Sequence, residues 1–364
     1  MMQTRRATDG AVDNASGAQY EGDTMAKRVT IVDVAERAGV AISSVSSALN
    51  DRPGVSTETR QRILTAAHEL GFVPSIRARS LSAQRAFAVG FILQRDPEVL
   101  GSDPFFGAFI GGVESVLGER GYALVLQVAS GAEETLARYR RLADDNRVDG
   151  VFLSEIELDD ERTALLQTLD LPVVAINADR DRFPFASVRQ DHVAGIERLM
   201  TYLAALGHRR IAHVSGPAQF IHSRQRELAW RRALADLELE AGAVVEGDFS
   251  YEGGRRAAEE MLVGRDLPTA VLCANDLTAV GFMARANELG FSVPGDISVV
   301  GYDGIPLGEY VRPTLTTLGT SPRLIGAEAA RLLLDQIEGA APIDVDVPPV
   351  ELLVRDSTGP APRR

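Results

Sequence analysis

From Ala86 onward, short apolar runs alternate with amphipathic stretches in two successive series. The first series has apolar runs at 87–93 (FAVGFIL), 122–128, 149–154 and 171–176, and the second at 210–214, 269–274 and 297–302. Runs of this length, bounded by turn residues and separated by helical periods, read as the buried strands of βα units. Such units assemble into doubly wound parallel sheets. Two series imply two lobes, with a ligand cleft at the carboxyl ends of the strands. The clearest helix starts at Asp103-Pro104, carries Phe106, Ile110, Val113 and Leu117 on its inner stripe and stops at Gly121.

Ahead of this α/β body stands a different pattern. Thr30 to Asn50 reads as two short helices meeting at Gly39, with Thr30 as N-cap and Asp33 completing a capping box. Ser56 caps a third helix, lined by Ile63, Ala66, Ala67 and Leu70 and stopped by Gly71. Helix, glycine turn and helix make a helix-turn-helix, although an ordinary helical hairpin shares that signature. The charge distribution favours DNA binding. The chain carries −13 overall, yet residues 26–85 hold nine Lys/Arg against five acids. A basic head on an acidic body confines phosphate attraction to the head.

Several classes fall away. No apolar run approaches the roughly 20 residues needed to span a bilayer, and the N-terminus lacks the apolar core of a secretory signal. The single cysteine, Cys273, sits in a strand-like run and fits a reducing cytoplasm, so a cytoplasmic location is expected. There is no Walker loop, G-x-S-x-G or G-x-G-x-x-G, and the five histidines have no metal-ligand spacing. Neither an enzyme nor a metal or cofactor is expected. Asp159-Asp160 reads as a solvated loop.

The run from Val29 to Leu81 carries V-T-I-x-D-V-A, A-G-V, V-S-x-x-L-N, V-S-x-x-T-R and A-R-S-L. It resembles, without a gap, the DNA-binding head and hinge of the lactose/galactose-repressor (LacI/GalR) family. The body adds D-P-F-F, R-V-D-G-V, A-L-G-H-R-R-I-A, A-N-D-L-T-A-V-G and V-P-G-D-I-S-V-V-G-Y-D. The resemblance implies a small all-α head on a body of two doubly wound parallel-sheet lobes, like periplasmic sugar-binding proteins. The expected divisions are a disordered extension (1–25), the helix-turn-helix domain (26–74), a hinge (75–85), the ligand-binding and dimerisation body (86–358) and a tail (359–364). Within the body the N-lobe takes about 86–190 and 321–344, and the C-lobe about 191–320 and 345–358. Met25 reads as a second start, and the C-terminus shows no heptads for a coiled-coil tetramer.

Carried over by position, base reading falls on Ile42, Ser43 and Ser47. Thr30, Ser46, Asn50, Ser56 and Thr59 match phosphate-contacting or capping positions, and Arg79 and Leu81 lie in the hinge, with Leu81 the minor-groove wedge. Ser47 stands where the family often has Arg, and Ala41 replaces the usual cap Ser. This head therefore reads bases weakly and leans on dimer spacing and the operator kink.

In the body, Arg226 matches the ligand-clamping arginine, with a solvated helix charge as its alternative. Asn275 and Asp303 end strands, where they can face the cleft or cap helices, and Phe249 and Phe105 match aromatic contacts. Gln190, Asp191 and His222 are weaker candidates. The set suits a sugar. The implied protein is a homodimeric repressor on a near-palindromic operator, controlled by a sugar effector. A corepressor-type regulator of nucleobase or nucleoside genes and a ligand-independent dimeric DNA binder are the alternatives.

Overall fold

The computed structural model describes residues 29–49, 52–73, 80, 83–95, 101, 103–178, 183–263 and 266–363. The chain divides into two compact units, up to Ala83 and from Gln84. Asn50, Arg79, Leu81, most of the hinge and the extension ahead of Val29 lie outside the described residues.

The first unit is three short helices: α1 (Ile31–Ala38), α2 (Ile42–Leu49) and α3 (Thr57–Glu69). Their core is Val34, Ala35, Ala38, Val45, Ala48, Ile63, Ala66 and Ala67, so alanines let the three backbones close around two valines and an isoleucine. Thr30 and Asp33 form a reciprocal capping box, and Gly39 ends α1 in the left-handed region at φ +63°. Arg37 joins α1 to Glu69 of α3 at 2.7 Å, and Arg62 donates to the Ala38 carbonyl at 3.0 Å. Thr30→Ala removes one side of the box and is expected to cost about 1 kcal/mol, read as a lower melting temperature of the head transition.

The second unit contains two six-stranded sheets. In the N-lobe, β1 (Ala88–Gln94), β2 (Ala123–Ala129), β3 (Val151–Leu153), β4 (Val173–Ile176), β5 (Ala186–Gln190) and β11 (Val345–Val347) run parallel in the order 11-5-4-3-1-2. In the C-lobe, β6 (Arg210–Ser215), β7 (Glu240–Glu246), β8 (Ala270–Cys273), β9 (Ser298–Asp303), β10 (Thr316–Gly319) and β12 (Glu351–Leu353) take the order 12-10-9-8-6-7. Only β12 is antiparallel to its neighbour there. Each sheet is covered by apolar clusters on both faces.

The helices that position the cleft are α4 (Pro104–Arg120), α5 (Ala132–Asp144) and α6 (Glu161–Thr168) in the N-lobe. The C-lobe supplies α7 (Val193–Ala205), α8 (Ile221–Asp236), α9 (Tyr251–Met261), α10 (Asp276–Glu288) and α11 (Leu307–Tyr310). α12 (Pro322–Ile337) returns to the N-lobe and packs on α4. The chain passes between lobes after Gln190, after Gly319 and after Val347. The last passage falls beyond the expected residue 344, because Val345–Val347 pairs in parallel with β5.

Asp160 is not in a solvated loop: its side chain and that of Arg162 are each 4% exposed and form a 2.6 Å ion pair. Asp160 also caps α6, and Arg162 reaches back to the Glu155 carbonyl at 2.8 Å, so the loop after β3 is pinned from within.

Candidate ligand cleft and DNA-reading head

The carboxyl ends of the central strands of both lobes meet at one cavity of about 80 Å3. From the C-lobe it receives His222 and Arg226 on α8, Phe249 ahead of α9, Asn275 after β8 and Asp303 at the end of β9. From the N-lobe come Arg95 after β1, Asp103 and Phe105 at the start of α4, Glu155 after β3 and Asn177 after β4.

Arg226 is not a solvated helix charge. Its guanidinium lies 3.6 Å from the Tyr302 ring centroid, Nη1 donates to the Ala274 carbonyl at 2.8 Å, and Nε is buried with no partner among the described residues. A buried donor left over in this way is a group awaiting an acceptor. Asn275 holds both expected jobs. Its Oδ1 accepts from Thr278 N at 2.9 Å, capping α10, while Nδ2 donates to the Phe249 carbonyl at 2.8 Å. That bond braces Phe249 in a left-handed conformation, φ +64°. Gly216 makes room for the ring, since a Cβ there would overlap its edge.

Asp303 sits at φ +119°, a value that side chains rarely adopt. Asp276 beneath it accepts from Ile305 N and from the Thr317 hydroxyl, tying down the turn that Asp303 opens. Eight non-glycine residues have positive φ among the described residues, and four of them (Glu155, Asn177, Phe249 and Asp303) line this cavity. Strain of this kind concentrates where a fold holds side chains for binding.

Electrostatically the cleft sets two arginines, Arg95 and Arg226, against three carboxyls, Asp103, Glu155 and Asp303. Burial pushes the carboxyls of Asp103, Glu155 and Asp303 up, against the pull of Arg95 on the first two and of Arg226 on the first and last. Burial, reinforced by Arg226 and Arg95, holds the His222 imidazole neutral, well below its usual range. Arg95 pairs with Glu155 through Nε at 2.7 Å and lies 5.2 Å from the Phe249 ring centroid.

Gln190 and Asp191 do not line the cleft. The Gln190 amide accepts from Ser321 N at 3.1 Å and donates to the Pro348 carbonyl at 2.8 Å, which ties the three passages between lobes together. Asp191 is exposed and accepts from Val193 N at 2.9 Å, at the start of α7. His222, a weaker candidate, is in the cleft, stacked 5.4 Å from Phe249. Arg95, Glu155 and Asn177 were missed. Each follows an expected strand within two residues, and that position was the available signal.

Behind the cleft His213 is fully buried, its Nδ1 on the Leu272 carbonyl and its ring stacked on Trp230. Burial pushes it down to about 4. A pKa lower in the fold than in the open chain means stability that is complete above pH 6.5 and lost as pH falls toward 4. His192 acts in the same window, whereas Asp276, pushed up to about 7 by burial, works in the opposite sense between pH 7 and 4. His213→Leu is therefore expected to shrink the drop in melting temperature between pH 7 and pH 5. An unchanged drop refutes this assignment.

In the head, Ile42 and Ser43 at the start of α2 are exposed, Ile42 at 48%, and Ser46 and Ser47 are half-buried. Ser56 caps α3, and its hydroxyl donates to Thr59 Oγ1 at 2.9 Å, so these hydroxyls have structural work.

A three-helix head with an exposed second helix, and a separate two-lobed body with a polar cleft, define a DNA-binding regulator with a binding-protein-like body. Residues 30–75 match the model of bacterial regulatory proteins, lacI family, and residues 200–358 match a periplasmic binding protein-like domain. The repressor PurR of Vibrio vulnificus (strain CMCP6) is 34% identical over 316 residues, covering 85% of this chain and 92% of PurR. A lac repressor dimer bound to operator and the anti-inducer ONPF superposes with TM-score 0.78 at 30% identity, covering 92% of this chain and all of that one. A CelR–cellobiose complex superposes with TM-score 0.70 at 31% identity, covering 91% and 100%. The chain belongs to the lacI family of transcriptional regulators, which are not enzymes. No helix among the described residues is long and apolar enough to cross a membrane.

Proposed function

We propose that this regulator represses transcription as a homodimer on a near-palindromic operator, and that a neutral sugar in the interlobe cleft controls its grip on DNA. The observation that carries the reading is the strained quartet Glu155, Asn177, Phe249 and Asp303 around the unpartnered Nε of Arg226. Two arginines set against the carboxyls of Asp103, Glu155 and Asp303 offer donors and acceptors held rigidly side by side, which suits vicinal hydroxyls rather than an anion. Phe105 supplies an apolar face from the other lobe. Sugar binding shifts the balance between lobe arrangements, and by linkage operator and sugar change each other's affinity by one common factor. The helix after Pro104 is the leading dimer element.

A thermal-shift screen of mono- and disaccharides, nucleobases and sugar phosphates tests the ligand class. Hits confined to neutral sugars support it, and a nucleobase hit turns it into the corepressor alternative. No hit across the panel refutes sensing. An operator-binding assay with the hit then gives the sign of the response. Removing residues 1–83 is expected to abolish operator binding and spare the thermal shift. Ser47→Arg adds a bidentate donor to α2 and is expected to sharpen preference at one base pair by roughly 1–3 kcal/mol. Unchanged sequence preference refutes the placement of that face.

A further inference from the structure

The two lobes are joined a second time, away from the three passages of the chain. Ile221 N, in the C-lobe, donates to the Ile156 carbonyl of the N-lobe at 2.9 Å, and Leu158 N donates back to the Gln219 carbonyl at 3.0 Å. Glu157 and Phe220 thus face each other in an antiparallel bridge. It follows β3 on one side and β6 on the other, strands inside their sheets, whereas the passages run along β5, β10, β11 and β12. The bridge therefore joins the lobes away from their hinge.

Both halves are prepared for the contact. The loop after β3 is held by the buried Asp160–Arg162 pair: Asp160 accepts from Glu157 N at 3.1 Å, and Arg162 donates to the Glu155 carbonyl. On the other side Phe220 is buried, and Ile221 packs against the N-lobe cluster that contains Ile156 and Leu166. Arg95, paired with Glu155 of its own lobe, lies 4.7 Å from the Phe220 ring centroid across the gap, within cation–π range. Every atom of the fastening belongs to the chain itself.

We propose that the main-chain bridge between Ile156–Leu158 and Gln219–Ile221 is a latch that closes the cleft before an effector binds, so that the effector consolidates closure rather than causing it. Two backbone bonds suit this work. Each shifts an equilibrium by about tenfold, because both partners find water when it breaks. The latch is thus strong enough to bias closure and weak enough to release. Its regulatory meaning rests on the cleft being the effector site.

Ile221→Pro is the selective probe. Ile221 is the first residue of α8, where the N–H has no helical partner and proline is tolerated. Phe220 before it is extended (φ −83°, ψ 132°), as a residue preceding proline must be. Native-state hydrogen exchange on the effector-free full chain reads the outcome. Segment 155–160 is expected to be protected in the wild type, to exchange about tenfold faster in Ile221→Pro, and to stay protected in Ile221→Val. β3 and β6 stay protected throughout, which certifies the fold. If Ile221→Pro does not fold, Leu158→Pro removes the reciprocal bond, with segment 217–222 as the reporter. Absence of protection in the wild type, no change in the proline variants, or equal loss in Ile221→Val overturns the latch. An effector screen without hits refutes sugar sensing and leaves this result standing.

Discussion

Arg226→Ala is expected to lower sugar affinity by about ten- to a hundredfold. The guanidinium is fixed on three sides: Tyr302 supports its face, the Ala274 carbonyl accepts from Nη1, and Asp303 and Asp103 lie close enough to feel its charge. Its geometry is therefore set before a ligand arrives, and little ordering entropy is spent on binding. A charge-assisted hydrogen bond in such a place contributes roughly 1.5–3 kcal/mol, and a bidentate pair more. Arg226→Lys keeps the charge and loses the fork, so it is expected to recover only a small part. Calorimetry on a hit from the sugar screen reads both variants, and operator binding without effector should be unaltered. If alanine leaves affinity within threefold, Arg226 belongs to the architecture of α8 and not to the site.

The second large effect lies in the packing of the lobes. Where α4 crosses α12, a Cβ on Gly112 would overlap the Arg323 carbonyl, and one on Gly326 would overlap the Phe109 carbonyl. The C-lobe repeats the arrangement between α9 and α10, with Gly254 against the Thr278 carbonyl and Gly281 against that of Tyr251. At these crossings backbone meets backbone, and nothing flexible can give way. Gly112→Val is expected to cost about 3 kcal/mol, the upper end for overpacking. That corresponds to a fall of roughly 6–12 °C in melting temperature for a unit of this size. Gly118→Val on the same helix is the control, because a Cβ there meets nothing within 4 Å. Equal losses at the two sites would show that helix propensity, not the crossing, sets the cost.

What could be read from the amino acids alone follows from how local the signal is. The capping box of Thr30 and Asp33, the stop at Gly39 and the start of α4 at Asp103-Pro104 are each decided within four residues, and all appear as expected. The central strands are apolar on both faces and announce themselves. β5 carries Arg189, β7 is a largely exposed edge strand, and β11 and β12 have three residues each, so none offers such a run. The cleft divided the same way. Arg226, Phe249, Asn275 and Asp303 came through family positions, while Arg95 and Glu155 make sense only as a pair 60 residues apart. Gln190 was misplaced because its partners, Ser321 and Pro348, are more than 130 residues distant. Asp160 was misread because two adjacent acids suggest solvent until Arg162 is seen folded back on one of them. Backbone strain at Glu155 and Phe249 leaves no trace in composition.

The return of α12 and β11 to the N-lobe has a consequence for the order of synthesis. The apolar cluster beneath β1, β4 and β5 is completed by Ile325, Ala329, Ala330 and Leu333, and β11 forms the sheet's last edge. Those residues leave the ribosome after nearly all of the C-lobe. The lobe begun first receives its closing helix and strand only after nearly all of the C-lobe, and its half-built sheet must wait with one face covered by α4 alone while more than 130 residues are added. At roughly 5–20 residues per second that wait lasts on the order of ten seconds. Truncation anywhere before Val347 removes part of the lobe that started at Ala88.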